Sequence, residues 1–458
     1  MAKVLISPIG TGYRIGEGPG AYKVAQYRFE EDDQTYTTSF IATALAEKLQ
    51  VDKILFIGTA KSMWDEIYYY FTTQGKQEID MNYWDQISNA SKKSDHLQEW
   101  ITPEILQKTM KAVDQYLQYS HPNSQGGSRS LIIKYGLNEG ELLHNFALFM
   151  ELTDCLEKGD QIYLDITHAF RSIPLFMYLM VEFLGTLQHK NIEIRGLYYG
   201  MLEARRELGY APIVDLKTIL DLSKWIRGSH EFIQYGSGYV ISELIKGEAG
   251  EQKNLIKIAE DINDISELVN INYLTDLRMK IQQLRRRMDS LEIVSGITSY
   301  ILPQVKEFIV QFTHIHKDSL FQLELSNWYF KNKRYGYGYI CLVESILTHF
   351  CEVYQLDIKD YKQRERMKEI VKQRKLYSRL EKLSQLSIAY WEINSIRRQI
   401  AHAAFYEGKN NSFEATIQQA EKYHGKVREL LTSQELLKID QMIPLEDILI
   451  SKRGRSYG

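Results

Sequence analysis

The N-terminal half of the chain alternates short apolar segments with helix-like segments, and this alternation constrains the fold more than any other feature. Apolar runs rich in Ile, Leu, Val and Tyr, each ending in small or polar residues, occupy residues 3–7, 52–57, 131–135, 161–166 and 192–199. Helical spacing of apolar residues lies between them, over 38–49, 97–119, 141–156 and 173–188. Such runs are typical of buried parallel strands. Their alternation with helices predicts a doubly wound, Rossmann-like α/β sheet.

The C-terminal half has a different pattern, because the strand signal fades from residue 216 onward. Apolar residues recur there every three to four positions, which indicates amphipathic helices. The helices are predicted over 255–269, 274–291, 301–313, 320–331, 339–354, 361–383, 388–405 and 412–431. Long helices with short links predict an all-α bundle. We therefore expect an α/β domain over 1–216, a helical connector over 217–300 and a helical domain over 301–458.

Composition narrows the class of protein. Lys and Arg number 56 and Asp and Glu 59, a net charge of −3, which excludes a generally basic nucleic-acid coat. The three cysteines, Cys155, Cys341 and Cys351, are too few for a disulfide framework and are expected as buried thiols in a reducing compartment. We see no targeting segment, and the longest apolar stretch, residues 173–184, is shorter than the ~20 residues of a membrane helix. We expect a cytoplasmic protein without a membrane partner.

Small and polar residues follow the predicted strands and form the first candidate site. In doubly wound sheets, ligands bind at the carboxyl ends of the strands. Small residues let backbone N–H groups approach a phosphate, and an Arg can add charge-assisted hydrogen bonds. These residues predict a nucleotide-like or anionic ligand, although ordinary turns and helix caps use the same residue types. The candidates are Gly10, Thr11, Gly12, Thr59, Ser62, Asn138, Glu139, Thr167, His168, Arg171 and Ser172.

Standard cofactor motifs are absent from this region of the sequence. No glycine stands three positions after Gly12, so the dinucleotide-binding pattern G-x-G-x-x-G fails, and there is no P-loop motif. Asp165 and His168 are two conceivable metal ligands with no third nearby in the sequence. We expect neither a resident cofactor nor a metal.

Residues 361–382 are locally basic, with nine Lys and Arg against three Glu. Such a run is either a solvated helix face or a groove for a polyanion. In a groove, Tyr361 and Tyr377 would be able to stack on nucleobases.

Arg397 and His402 form the second candidate site. They are five residues apart on a predicted helix, about 140° apart around its axis. RNA carries its own nucleophile, the 2′-OH, so its cleavage needs an acid/base group and a cation on the developing phosphorane charge. His suits the first role and Arg the second, without a metal. A surface Arg beside a packed His would give the same spacing.

With these residues in view, the two halves resemble the CARF–HEPN ribonucleases of type III CRISPR systems. Arg397 to His402 matches the HEPN motif R-x-x-x-x-H, with Arg398 where the common form has Asn. Residues 165–172, Asp-Ile-Thr-His-Ala-Phe-Arg-Ser, are similar to the CARF signature after a late strand. Residues 56–64 and 136–140 also resemble family segments.

The resemblance implies a CARF domain that dimerises and binds one cyclic oligoadenylate across the two-fold axis, with cyclic tetra-adenylate favoured by family analogy. It also implies HEPN domains whose paired Arg397 and His402 cleave single-stranded RNA, leaving a 2′,3′-cyclic phosphate and a 5′-hydroxyl. The expected partners are a second copy of the chain, or an oligomer of dimers, together with the RNA; no DNA is expected.

Two other functions remain open at this point. The chain would be a non-catalytic CARF sensor if it lacked nuclease activity, although no clear recognition helix is evident over 217–291. It would also limit its own activation if Thr167, His168 and Arg171 helped to degrade the cyclic activator.

Overall fold

The computed structural model describes residues 1–168, 172–186, 191–291, 296–372, 379–403 and 412–448. The chain divides into two compact units, Met1–Asp221 and Leu222–Gly458. Within the described ranges, no helix has the length and apolar character that a membrane crossing requires.

The first unit contains one eight-stranded mixed sheet. Its strands are β1 (Lys3–Pro8), β2 (Ala25–Phe29), β3 (Thr35–Thr38), β4 (Lys53–Gly58), β5 (Arg129–Ile132), β6 (Gln161–Asp165), β7 (Glu193–Gly200) and β8 (Ala211–Asp215). Their order in the sheet is β3-β2-β8-β7-β6-β1-β4-β5. The neighbours β5, β4, β1, β6 and β7 are parallel, whereas β8 is antiparallel to β7 and β3 is antiparallel to β2. The predicted α/β fold is therefore confirmed, with an antiparallel extension at one side.

Helices cover both faces of this sheet. They are α1 (Ala42–Leu49), α2 (Trp64–Gln74), α3 (Met81–Lys93), α4 (Gln107–Ser120), α5 (Glu139–Leu152), α6 (Ile173–Thr186) and the short α7 (Arg205–Leu208). Leu5 and Phe56 pack in one core with α1, α2 and α4, whereas Val4, Ile6 and Leu55 pack in a second core with α5 and α6. Because successive strand residues point to opposite faces, each central strand must be apolar throughout, which is the pattern seen in the sequence.

The sequence analysis missed β2, β3 and β8. Ala25–Phe29 alternates buried residues with the more exposed Gln26 and Arg28, so it lacks the continuous apolar run of a central strand. The predicted helix over 97–119 was too long, since α4 begins at Gln107. The carboxylate of Asp95 accepts hydrogen bonds from the amides of Leu97 and Gln98 in a turn, and a proline at position 103 disfavours helix in the residue before it.

The second unit is helical, as predicted. A long helix, α8 (Lys217–Tyr235), leads into it. The following helices are α9 (Tyr239–Ala249), α10 (Lys253–Ile271), α11 (Leu274–Asp289), α12 (Thr298–Thr313), α13 (Asp318–Lys331), α14 (Tyr335–Val353), α15 (Tyr361–Lys372), α16 (Glu381–Ala401), α17 (Phe413–Leu431), α18 (Gln434–Leu437) and α19 (Ile439–Met442).

Two buried clusters organise this unit, one mainly from α8 to α13 and one mainly from α13 to α19. The first contains Leu277 and Ile309, which lie on either side of the predicted division at residue 300. That division stays a prediction.

The predicted break between helices 361–383 and 388–405 was misplaced. Helix α15 is described over Tyr361–Lys372, and α16 runs without interruption from Glu381 to Ala401, so the predicted break over 384–387 is helical. Ser387 lies inside α16, and its buried hydroxyl donates a hydrogen bond to the Val371 carbonyl of α15. This hydrogen bond satisfies the buried hydroxyl and links α16 to α15.

The buried His349 makes the stability of the helical unit depend on pH. Its Nε2–H donates to the Leu436 carbonyl, since a carbonyl only accepts, and burial lowers the pKa of His349 to about 4. The unfolded imidazole takes up a proton near pH 6.5. We therefore expect this residue to remove up to about 1.4 kcal/mol of unfolding free energy per pH unit as the pH falls from 6.5 towards 4.

Urea denaturation between pH 7 and pH 4.5 tests this expectation. The His349→Gln variant keeps an N–H donor without the titration, so its stability should fall less steeply than that of the wild type. His314→Gln, at an exposed histidine, should leave the wild-type slope unchanged. Equal slopes for wild type and His349→Gln would contradict the account.

Candidate functional site

A cavity of about 360 Å³ lies at the carboxyl ends of β1, β4, β5 and β6. In the sheet, β1 has β4 and β5 on one side and the later strands β6 and β7 on the other, so the cavity lies at the topological switch point where α/β sheets bind ligands. The structure brings together these predicted residues in its lining: Gly10, Thr11, Gly12, Thr59, Ser62, Thr167 and His168.

The turn after β4 is braced against β1. The Ser62 hydroxyl donates to the Ile9 carbonyl at 3.0 Å and accepts from the Thr59 amide at 3.0 Å. Gly58 allows this close approach, because a Cβ there would lie 2.8 Å from side-chain atoms of Ile9 and Trp64. Ser62 therefore shapes the cavity wall through bonds within the protein.

The turn after β6 rests on the buried carboxylate of Asp165. This carboxylate accepts from the Ser7 hydroxyl at 2.6 Å and from the Thr167 amide at 2.8 Å. Burial raises the pKa of Asp165, although the charge of nearby His168 acts in the opposite direction. The Thr167 hydroxyl in turn accepts from the Gly200 amide at 2.8 Å. These bonds join β1, β6 and β7, and they occupy both oxygens of Asp165, a conceivable metal ligand.

His168 brings an imidazole to the cavity. Its Nε2 lies 3.4 Å from the Tyr27 hydroxyl. Burial lowers the pKa of His168, and the carboxylate of Asp165 only partly offsets this. A neutral imidazole at this position can both donate and accept hydrogen bonds.

The glycine-rich loop after β1 forms the remaining wall and is tied down by a buried ion pair. The guanidinium of Arg14 pairs with the fully buried carboxylate of Asp65 and donates to the Ser88 hydroxyl at 3.0 Å. The Tyr22 hydroxyl donates to the same carboxylate at 3.0 Å. Gly12 adopts a left-handed φ of 64°, and a Cβ there would meet the Tyr22 ring at 2.6 Å. Sequence reasoning missed this anchor, because nothing local relates Arg14 to Asp65, which lies 51 positions away.

Among the residues that the structure describes, Asn138, Glu139 and Ser172 were predicted at this site but do not line the cavity. Asn138 caps α5, since its side chain accepts from the Glu141 amide, and Glu139 lies in the first turn of that helix. The Ser172 carbonyl accepts from the Phe176 amide at the start of α6. Arg171 lies outside the described residues. Ligand binding by these four residues stays a prediction.

Arg397 and His402 lie at the C-terminal end of α16. Arg397 is half-buried and its Nε donates to Oδ1 of Asn394 at 3.0 Å. His402 follows the last helical residue, is exposed, and its amide donates to the Arg398 carbonyl at 3.0 Å. Sequence reasoning missed Asn394, whose position three residues before Arg397 puts both on one helix face and was an available signal. Asn394 fixes one side of the guanidinium and leaves its Nη groups for other contacts.

Several described cations of the basic segment over 361–382 have partners within the protein. Arg364 pairs with Glu344, and Arg366 donates to the Leu445 carbonyl. Lys368, Lys372 and Lys382 pair with Glu365, Glu369 and Glu429, respectively. Tyr377 lies outside the described residues. These contacts favour a solvated helix face over a polyanion groove.

Removing the Arg14 charge tests the buried anchor of the cavity loop. Arg14→Gln leaves the Asp65 carboxylate buried without its cation, and we expect a loss of about 3 kcal/mol or more in the free energy of unfolding. Lys108→Gln removes the same kind of charge from an exposed pair with Asp80 and should change stability little. Chemical denaturation of both variants is the measurement. An equal effect of the two substitutions would contradict the role given to the buried pair.

Two family matches cover much of the chain. Residues 4–203 match CRISPR system endoribonuclease Csx1, CARF domain, and residues 221–319 match CRISPR-associated protein MJ1674, second domain. CRISPR-associated protein MJ1674 of Methanocaldococcus jannaschii is 41% identical over 405 residues, which are 88% of this chain and 62% of that protein. The match thus spans less than two thirds of the relative's length. These similarities support a CARF-containing accessory protein of type III CRISPR systems, with the CARF domain over residues 4–203.

Proposed function

We propose that the protein is an endoribonuclease that a cyclic oligoadenylate activates and that cleaves single-stranded RNA without a metal ion in antiviral defence. One observation carries the proposal: the same chain contains a CARF strand-end cavity and a helix, α16, with Arg397 and His402 at its C-terminal end. The name of the matching family, an endoribonuclease, agrees with it.

The cavity supports a ligand shared between two copies of the chain. Its volume of about 360 Å³ is near the lower end of the range for ligand pockets, about 300–1,000 Å³. A cyclic tetra-adenylate is too large for one such cavity, so two cavities would have to face each other. Helix α6 begins five residues after His168 and exposes the apolar side chains of Leu175, Tyr178 and Leu179. Burying this face against a second copy would remove it from water and bring the two cavities close together.

The helix end supports metal-free cleavage. The 2′-oxygen of the RNA attacks the neighbouring phosphorus, the bond from phosphorus to the 5′-oxygen breaks, and a 2′,3′-cyclic phosphate and a 5′-hydroxyl result. His402 of one copy takes the 2′-OH proton, and the partner's His402 gives a proton to the leaving oxygen. Arg397, oriented by Asn394, offers its charge to the phosphorane. His402 is exposed, as an acid/base group that meets an RNA must be.

Activation then is a coupling between two sites. The ring shifts a low-activity dimer towards an active one, and by linkage RNA bound at the active site tightens the ring. Degradation of the ring by His168 stays a prediction, which the position of its imidazole in the cavity lining supports.

Cleavage of a fluorogenic single-stranded RNA in EDTA, with and without cyclic tetra-adenylate, tests the proposal. We expect ring-dependent cleavage by the wild type. His402→Ala should lower the rate roughly 10²- to 10⁴-fold because it removes the acid/base group, and Arg397→Ala roughly 10²- to 10³-fold. Calorimetric binding of the ring should be unchanged in both variants, since neither residue belongs to the strand-end cavity.

The matched control is His314→Ala, which removes an exposed histidine from the end of α12 and should cleave as the wild type does. Failure of both cyclic tetra-adenylate and cyclic hexa-adenylate to activate cleavage, with ring binding intact, would make the protein a non-catalytic CARF sensor. Undiminished cleavage by His402→Ala would refute the assigned chemistry.

A further inference from the structure

A second concavity, of about 530 Å³, adjoins the helix that carries Arg397 and His402. The turn between α13 and α14, the start of α14 and one residue of α16 form it. Its lining includes Lys333, Arg334, Tyr335, Tyr337, Ile340 and Ile400. The turn approaches α16 closely, since a Cβ at Gly336 would lie 3.4 Å from Cγ2 of Ile400.

Ile400 places this concavity next to the proposed cleavage site. It stands three residues after Arg397 and two before His402. With a rise of about 1.5 Å per residue, these distances are only about 4.5 Å and 3 Å along the helix axis. Ile400 also shares a helix face with Arg397, about 60° away around the axis, whereas His402 is about 160° away. A ligand in the concavity would therefore lie on the Arg397 side of a phosphate held at this end of α16.

The concavity carries positive charge without a matching carboxylate. The Arg334 guanidinium donates to the Tyr235 carbonyl at 2.8 Å and to Oδ1 of Asn270 at 3.1 Å, both neutral acceptors. It also lies over the Tyr329 and Tyr337 rings, which hold it in a fixed orientation. Among the residues that the structure describes, neither Arg334 nor the exposed Lys333 has an ion-pair partner. In the basic segment over 361–382, by contrast, four of the described cations are in ion pairs.

Besides the two cations, the concavity is lined by the aromatic rings of Tyr335 and Tyr337. Tyr335 is half-buried, with its ring packed against Phe330 at 6.2 Å between centroids. The Tyr337 hydroxyl donates to the Asn270 carbonyl at 2.9 Å, which fixes that ring beside Arg334. Fixed aromatic rings next to cations are the combination that binds single-stranded nucleic acid, because bases stack on the rings and phosphates meet the charges.

We infer that this concavity is a nucleotide subsite for the RNA substrate, in which Tyr335 stacks on the base beside the cleaved phosphodiester and Lys333 contacts a phosphate. The inference rests on the proposed ribonuclease function and adds a positioning site outside its catalytic pair. The subsite reads a base face and a backbone charge, so it takes an unpaired nucleotide of any sequence.

Binding of a short single-stranded RNA with a 2′-deoxy residue at the cleavage position, measured by fluorescence anisotropy with the cyclic activator present, tests the inference. Lys333→Gln should lower the slope of log affinity against log salt by about 0.7, the value for one phosphate contact to a single strand. Lys438→Gln is the matched control, because Lys438 is an exposed lysine just after α18. Helix α18 lies at the other end of α16, where its Glu435 accepts a hydrogen bond from the Leu383 amide. Lys438→Gln should leave the slope unchanged.

Tyr335→Leu should weaken RNA binding roughly 5- to 150-fold, the range for a lost base stack, whereas Tyr335→Phe, which keeps the ring, should bind normally. An abasic nucleotide placed in turn along the RNA locates the subsite. One abasic position should weaken binding to the wild type and have no further effect on Tyr335→Leu. Normal melting temperatures show that the variants are folded.

The outcomes separate the inference from the function on which it rests. Ring-dependent cleavage with wild-type RNA affinity in both Lys333→Gln and Tyr335→Leu would overturn the subsite and leave the ribonuclease standing. Absence of both cleavage and RNA binding in the wild type would overturn the ribonuclease and the subsite with it.

Discussion

The buried carboxylate of Asp165 accepts two hydrogen bonds at the point where the sheet reverses its strand order, and the strand-end cavity depends on both. The bond from Ser7 joins it to β1, and the bond from Thr167 shapes the turn that presents His168. A carboxylate without such partners would be costly to bury. The strong burial of Asp165 is therefore tolerable only in this arrangement, which in turn fixes the wall of the cavity. The Arg14–Asp65 ion pair likewise holds the glycine-rich loop after β1, which forms another wall of the cavity.

The central strands were predictable from the sequence because each is buried on both faces and so reads as an apolar run. The strands of the antiparallel extension were not, since β2 carries Gln26 and Arg28 among its buried residues and is recognisable only beside its partners. Helix ends were missed for a related reason. The predicted gap over 384–387 lies inside α16, where the Ser387 hydroxyl donates to the Val371 carbonyl of α15, a contact that no local pattern shows.

In the candidate sites too, residues that follow a local sequence pattern were predicted, whereas contacts between distant residues were not. Gly10, Thr59 and Thr167 were found because strand ends gather at one edge of a parallel sheet, which is a rule of topology. Asn138 satisfied the same rule and instead caps a helix. Arg14 and Asp65 escaped notice because an ion pair between distant residues leaves no local pattern. The Arg397 and His402 spacing was visible, whereas the concavity beside Ile400 arises from the packing of α14 on α16.

The central claim is that two strand-end cavities form one site for a cyclic oligoadenylate. Calorimetric titration of the His402→Ala protein, which binds without cleaving, measures this most directly through its stoichiometry. The account predicts saturation at one cyclic tetra-adenylate or cyclic hexa-adenylate per two chains. Saturation at one ring per chain, or no binding of either ring, would contradict it.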